Sequence, residues 1–220
     1  MKAQTAVVIG ATGLIGGFVA EQLLQDSHFS IVRLLVRKPI SLQHPKLQVC
    51  ITDFNNLADF ATQMGKGDTI FCCVGTTQQK VKGDSAAYRK VDVDIPLNAA
   101  SIGVAAGFTK FMLVSSVGAS TGSGNFYLQL KGEVEEKLQA FAFSVIGIFQ
   151  PSMLLGPRKE SRKGEAIGKL LAKVISPLLL GSLGKYKPIE AKQVAKAMVH
   201  AAVTAAPGLR FYQYPDLIKV

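Results

Sequence analysis

The stretch that decides the fold is residues 4–17, Gln-Thr-Ala-Val-Val-Ile-Gly-Ala-Thr-Gly-Leu-Ile-Gly-Gly. Its run 6–9 is apolar and rich in β-branched residues, which predicts a buried parallel strand. Three glycines follow with the spacing GxxGxxG, at Gly10, Gly13 and Gly16. Apolar residues then recur at helical spacing over 14–25, so the stretch predicts a strand, a glycine turn and a helix.

Each of these glycines suits a phosphate-binding turn. Gly10 permits the tight turn, Gly13 lets a diphosphate approach the backbone, and Gly16 lets the helix pack closely on the strand. The free N–H groups at the helix start favour an anion, because the positive end of the helix dipole lies there. The remaining residues of the predicted turn are Thr12, Leu14 and Ile15. We interpret it as a dinucleotide-binding turn, and the alternative is a structural turn without a ligand.

Length and composition indicate one domain. The chain has 220 residues and is 48% apolar, which is enough for a single large core. It contains no apolar run long enough to span a membrane and does not begin like a signal peptide, so we expect a cytoplasmic protein. The three cysteines have the spacing of neither a metal site nor a disulfide framework, which favours free thiols. They are Cys50, Cys72 and Cys73.

The formal net charge of +10 is compatible with a nucleic acid, an acidic membrane surface, or an anionic cofactor beside an ordinary basic surface. The lysines are spread along the chain with little aromatic interleaving. We therefore favour the cofactor, and we expect a small-molecule substrate and no nucleic-acid partner.

The end of the second predicted strand, 31–36, bears on cofactor choice. An acidic residue there would hold the ribose 2′-hydroxyl of NAD, whereas an arginine accommodates the 2′-phosphate of NADP. This strand ends in Arg37 and Lys38 with no acid nearby. The sequence therefore predicts NADP(H) over NAD(H), because a guanidinium can bind a phosphate bidentately. The alternative is two solvated charges.

The third and fourth predicted strands, 47–51 and 69–74, end in further candidate cofactor residues. Asp53 could accept a hydrogen bond from the adenine amine while Phe54 covers the ring. Asp53 would serve equally well as the cap of the next helix. The fourth strand leads into residues small enough to lie against a diphosphate and a ribose, namely Gly75, Thr76 and Thr77.

The alternation of strands and helices continues to residue 150. A long helix is predicted over 85–106, where Pro96 marks a kink or a restart. A fifth strand, 111–114, precedes Ser115 and Ser116. The last two elements of this region are a helix over 126–140 and a sixth strand over 143–149.

This order predicts an α/β fold, a doubly wound parallel sheet of the Rossmann-like type in a single domain with a small C-terminal substrate-side elaboration. Ligands bind beyond the carboxyl ends of the strands in such folds. Several candidate residues occupy those ends: Gly10, Arg37, Asp53, Gly75, Ser116 and Pro151. Their convergence is a stronger indication than any one motif.

The motifs resemble the short-chain dehydrogenase/reductase superfamily in its atypical, extended-like form. They are GATGLIG at 10–16, Ser115-Ser116, and YLQLK at 127–131. The chain is similar in particular to the Tat-interacting-protein-like branch. The phrases that carry this closer likeness are LVR at 35–37, CVGTT at 73–77, YLQLKGEVE at 127–135 and PSMLLG at 151–156.

The resemblance implies an NADP-dependent oxidoreductase acting on a small carbonyl or alcohol. In that reading Tyr127 is the general acid/base, and Lys131, one helical turn on, favours the phenolate and binds the nicotinamide ribose. Ser116 orients the substrate carbonyl, with Ser115 as the alternative. Gln150 precedes Pro151 where this branch often has arginine. The competing reading is a non-catalytic regulatory protein that senses NADPH and binds a partner.

The last third of the chain should build the substrate side, over 152–187. A basic cluster within 158–163 is interpreted as a solvated loop or as a site that binds an acidic group of the substrate. The apolar face over 167–178 fits a helix packed over the pocket, a homodimer face or a membrane-surface helix. A helix over 193–206 and a strand over 211–214 are also predicted.

Overall fold

The computed structural model describes residues 3–157 and 181–220. Seven strands of the described chain form one parallel sheet in the order β3-β2-β1-β4-β5-β6-β9. Their bounds are β1 Gln4–Ile9, β2 Phe29–Val36, β3 Leu47–Ile51, β4 Thr69–Cys72, β5 Lys110–Val114, β6 Val145–Phe149 and β9 Gly208–Tyr212. The first six follow the Rossmann order, so the prediction of a doubly wound α/β domain is confirmed.

A short parallel pair, β7 Leu154–Leu155 and β8 Ile189–Glu190, lies outside the main sheet. The helices are α1 Leu14–Gln25, α2 Leu57–Met64, α3 Ser85–Arg89, α4 Ile95–Ala105, α5 Phe126–Leu138, α6 Ala191–Thr204 and α7 Tyr214–Leu217. A π-helical turn, Lys90–Asp94, joins α3 to α4, and a 3₁₀ segment covers Gly181–Tyr186. None of the helices in the described ranges has the length and apolarity that crossing a bilayer requires.

Two hydrophobic layers lie on opposite faces of the sheet. Side chains alternate along a strand, so Ala6 and Val8 of β1 face one layer while Val7 and Ile9 face the other. The first layer packs against α1 and α6, and the second against α2, α4 and α5. Helices on both faces leave the carboxyl ends of the strands free to hold a ligand.

Most predicted element bounds agree with the structure within a few residues, and those of α1 and β3 agree completely. The predicted helix over 85–106 is instead α3, the π-turn and α4, with Pro96 in the first turn of α4, where its missing N–H is not needed. Pro96 therefore marks the predicted restart.

Two alternatives left by the sequence are decided by local hydrogen bonds and burial. Asn56, not Asp53, caps α2, since its side chain accepts from the amides of Ala58 and Asp59. The three cysteines are free thiols, of which Cys72 is buried. Burial raises the pKa of the Cys72 thiol to about 11. The basic cluster at 158–163 and the apolar face at 167–178 lie outside the described residues.

Candidate functional site

A cavity of about 170 Å³ opens at the carboxyl ends of β1, β2 and β4. Seven residues of the predicted site line it: Gly10, Thr12, Gly13, Arg37, Phe54, Gly75 and Thr76. Residues that were not predicted as site residues complete the lining: Leu35, Val36, Cys73, Val74, Lys80, Val91 and Ile95. A larger, more open groove of about 710 Å³ between α1 and α6 contains none of the predicted residues.

The glycine turn is packed as closely as its sequence predicts. Gly10 has φ +88°, and a Cβ there would lie 2.7 Å from the carbonyl of Cys73. A Cβ on Gly16 would lie 2.2 Å from the Gly10 oxygen. Gly13 is the N-cap of α1, which has neither a side-chain cap nor an acidic residue in its first turn. The first amides of α1 therefore remain available to an anion, and the turn fits the diphosphate of a dinucleotide.

The cofactor candidates at the second and third strand ends differ in their placement. Arg37 and Lys38 are both exposed, but only Arg37 lines the cavity. Asp53 is exposed and accepts a hydrogen bond from the Asn55 amide at 3.0 Å. Phe54 lines the cavity, is 9% exposed and packs edge-on against Phe60, with ring centroids 4.9 Å apart.

The structure brings Tyr127 and Lys131 together on α5. The Lys131 ammonium lies 5.8 Å from the centroid of the Tyr127 ring. The same ammonium forms a buried ion pair with Asp92, whose Oδ1 is 3.0 Å from Nζ. The other oxygen of Asp92 accepts a hydrogen bond of 2.8 Å from the Thr76 amide. A chain of direct contacts therefore connects the cavity lining at Thr76 to Tyr127.

The ion pair keeps Lys131 charged although it is buried. Burial lowers the pKa of Lys131, but attraction to Asp92 and Tyr127 and the hydrogen bond with Asp92 outweigh burial, so the pKa lies above its usual range. A permanent ammonium beside a phenol suits a site that handles protons at the phenol oxygen.

The two candidate serines after β5 have different environments. Ser115 is 3% exposed and donates a short hydrogen bond to Oε1 of Glu135. Ser116 is half-buried, and its hydroxyl makes a long contact of 3.4 Å with the Val117 carbonyl. The Ser115 hydroxyl is thus already engaged inside the protein.

Glu135 is the centre of a buried hydrogen-bond network. Gln150 donates to both of its oxygens at 2.9 and 3.0 Å, and Gln213 donates to the Gln150 side-chain oxygen at 2.8 Å. Burial raises the pKa of Glu135, while Gln150, Ser115 and Lys131 partly offset that effect. The network ties the ends of β5 and β6 to α5 and to the residue before α7.

The remaining predicted site residues do not line the cavity. Ile15 lies in the first turn of α1 and its side chain is buried in the core. Pro151 is buried and its carbonyl accepts from the Val117 amide at 3.1 Å. Gly16 and Leu14 pack in the first turn of α1, and the Thr77 carbonyl accepts from the Lys80 amide at 2.9 Å.

Sequence reasoning gave no role to Asp92 or Glu135. Each was visible as a carboxylate inside a predicted helix, which is also the ordinary appearance of a solvated face. What separates these two from exposed acids is burial, since Asp92 is 0% and Glu135 is 6% exposed. No local sequence pattern predicts that these two carboxylates are buried. A carboxylate that the structure shows to be buried is a candidate functional group.

Comparison with known proteins identifies the family. The NAD(P)H-binding family matches residues 10–143. Protein HTATIP2 of Rattus norvegicus is 34% identical over 172 residues, which are 77% of this chain and 70% of that protein. The mitochondrial protein FMP52 of Debaryomyces hansenii is 31% identical over 201 residues, which are 90% of this chain and 87% of that protein.

These relatives correct the expected location. FMP52 of Candida glabrata, 30% identical over 100% of this chain and 97% of that protein, is likewise a mitochondrial protein by name. The expectation of a cytoplasmic protein was drawn from the first residues of the sequence and from the search for a membrane-spanning apolar run. The relatives from D. hansenii and C. glabrata contradict it.

Solved structures with the same fold hold nicotinamide cofactors. WbmH of Bordetella bronchiseptica in complex with NAD+ superposes with a TM-score of 0.74 at 15% identity, covering 96% of this chain and 77% of that one. MoeE5 in complex with UDP-glucose and NAD gives 0.70 at 18% identity, covering 95% and 76%. This chain thus belongs to the NAD(P)H-binding family, in the atypical, Tat-interacting-protein-like branch of the short-chain dehydrogenase/reductase superfamily.

Proposed function

We propose that this protein is an NADP-dependent oxidoreductase that acts on a small carbonyl or alcohol with Tyr127 as the acid/base. The observation that carries the proposal is the contact chain from Thr76 through Asp92 and Lys131 to Tyr127. Through Asp92, a phenol and a charged ammonium are connected to Thr76, which lines the cavity at the strand ends. That arrangement suits proton transfer beside a bound dinucleotide.

Different residues of this chain would bind different parts of the dinucleotide. The amides after Gly13 would hold the diphosphate, and Gly75 to Thr77 would lie against the diphosphate and ribose. Asp53 and Phe54 would contact the adenine. When bound, the nicotinamide supplies or accepts the hydride at the substrate carbon.

Proton transfer would be the task of α5 and of the loop after β5. Tyr127 would donate its hydroxyl proton to the carbonyl oxygen as the C–H bond forms, and would take it back in the reverse reaction. Lys131 would bind the ribose and stabilise the phenolate. Ser116 would orient the carbonyl, a role supported by the half-buried position of this residue, whereas the Ser115 hydroxyl is engaged by Glu135.

The proposed preference for NADPH can be tested at Arg37. Replacing Arg37 with alanine should weaken NADPH binding about ten- to a hundredfold, because a charge-assisted hydrogen bond contributes roughly 1.5–3 kcal/mol. Binding of NADH should hardly change, since it lacks the 2′-phosphate. Titration calorimetry with both cofactors measures this.

Lys66→Ala is the control for net charge, because Lys66 is exposed and lies outside the cavity. It should leave both affinities nearly unchanged. Equal affinity of the unaltered protein for NADPH and NADH would contradict the assignment of Arg37.

The function itself is tested by NADPH oxidation against a panel of aldehydes, ketones and keto-sugars. Turnover of any member supports an oxidoreductase and identifies its substrate class. Tight NADPH binding with no turnover across the panel would replace the enzyme with the regulatory, NADPH-sensing protein. Absence of NADPH binding would refute both.

A further inference from the structure

Two cationic residues line the cavity at the strand ends. Arg37 follows β2, and Lys80 belongs to the segment 73–84 between β4 and α3. Among the residues that the structure describes, no aspartate or glutamate lines this cavity. The charge of the lining is therefore positive, which favours a ligand with an anionic group at this place.

The two cations come from strands on opposite sides of β1. The sheet order places β1 between β2 and β4, and Gly10 at the end of β1 lines the cavity as well. Strands two places apart in a sheet are about 10 Å from each other. Arginine and lysine have long side chains, so Arg37 and Lys80 can bind one group that lies between them.

The segment that carries Lys80 is held in place by hydrogen bonds. The Thr76 amide donates to Asp92 at 2.8 Å, and the Thr76 carbonyl accepts from the Tyr88 hydroxyl at 3.2 Å. The Lys80 amide donates to the Thr77 carbonyl at 2.9 Å. A cation on a segment that is already ordered costs less conformational entropy on binding than one on a loose loop.

The anionic group that fits both cations is the 2′-phosphate of NADPH. A phosphate monoester carries nearly two negative charges at neutral pH, and one guanidinium neutralises only one of them. Arg37 can bind two of its oxygens bidentately, while the Lys80 ammonium binds the third as a point charge. The diphosphate has other partners, since the first amides of α1 are available to it.

We propose that Lys80 is a second determinant of cofactor specificity, whose ammonium binds the 2′-phosphate of NADPH together with the Arg37 guanidinium. The inference rests on the proposed function in taking NADPH as the cofactor, but it requires no turnover. It deepens the assignment of Arg37, because it makes the phosphate site a clamp of two cations from two sides of the cavity.

The test is Lys80→Ala, with NADPH and NADH each titrated calorimetrically into the ligand-free protein. Affinity for NADPH should fall about tenfold, the lower end of what a charge-assisted hydrogen bond contributes, because Lys80 is exposed. Affinity for NADH should hardly change, since NADH lacks the 2′-phosphate. Lys80→Arg retains a cation and should restore most of the affinity for NADPH.

Lys82→Ala is the matched control, because Lys82 is exposed in the same segment and does not line the cavity. It should leave both affinities nearly unchanged. In Arg37→Ala/Lys80→Ala both cations of the clamp are absent, so the preference for NADPH over NADH should disappear. A preference that survives in this double variant would overturn the proposal, since another group would then bind the 2′-phosphate.

The binding data separate this inference from the proposed function. Unchanged affinity for NADPH in Lys80→Ala would overturn the inference and leave the oxidoreductase standing. An equal loss for NADPH and NADH would overturn it as well, because Lys80 would then bind a group that both cofactors share. A preference lost in the double variant, without turnover on the carbonyl panel, would uphold the clamp and refute the oxidoreductase. Absence of NADPH binding to the unaltered protein would refute both.

Discussion

Replacing Tyr127 with phenylalanine should lower kcat by about 10²–10⁴-fold, the usual contribution of a positioned general acid or base. The ring is retained, so its packing and the contact with the Lys131 ammonium survive while the hydroxyl proton is lost. Affinity for NADPH should hardly change, because the diphosphate and adenine contacts lie elsewhere. The measurement is NADPH oxidation on the substrate that the carbonyl panel identifies.

Tyr214→Phe is the matched control for this loss. Tyr214 begins α7, outside the cavity, and its ring lies 6.0 Å from the Lys187 ammonium. Removing that hydroxyl should leave kcat within about twofold of the unaltered value, because the group has no part in proton transfer. Equal rates in Tyr127→Phe and the unaltered protein would exclude Tyr127 as the acid.

The second large effect is on stability. Lys131→Met should reduce the free energy of unfolding by about 3–5 kcal/mol, because it leaves the 0% exposed Asp92 carboxylate without its cation. Removing both charges in Asp92→Asn/Lys131→Met should restore most of this loss. Urea denaturation at neutral pH measures the free energy of unfolding of the unaltered protein, the single variant and the double variant.

The pH of that measurement follows from the titration of Lys131. Its pKa is raised in the folded protein, since Asp92 and Tyr127 outweigh the opposing effect of burial. The stability that its charge contributes is therefore fully present below the usual value of 10.5 and is lost only as the pH rises through the higher folded value. A measurement at neutral pH therefore includes the full contribution of the Lys131 charge to stability.

Lys137→Met is the matched control on the same helix. Lys137 pairs with Glu133 at 2.7 Å, but its side chain is 56% exposed. Its loss should cost less than about 1 kcal/mol, as for other surface ion pairs. A single variant Lys131→Met as stable as the double variant would show that Asp92 carries no buried charge.

The order of strands and helices was predictable from the sequence because the signals that define it are local. Glycine spacing and apolar periodicity located α1 and β3 without error, and alternating elements imply a parallel sheet. The pairing of Tyr127 with Lys131 was equally predictable, since residues four apart share a helix face.

The location of the protein was not predictable in this way. Targeting is read by other molecules and need not resemble the patterns that packing imposes. The expectation of a cytoplasmic protein failed against relatives that match most of the chain.

The sequence by itself determined which helices and strands form and that the carboxyl ends of the strands lie together at one edge of the sheet. Both follow from the spacing of residues along the chain. Tertiary structure alone decided that Asp92 pairs with Lys131, that Glu135 engages Ser115 rather than Ser116, and that both carboxylates are buried. These contacts join different elements. They depend on how α5 and the π-turn are rotated against each other, which the packing of the whole core sets and no single stretch of sequence encodes.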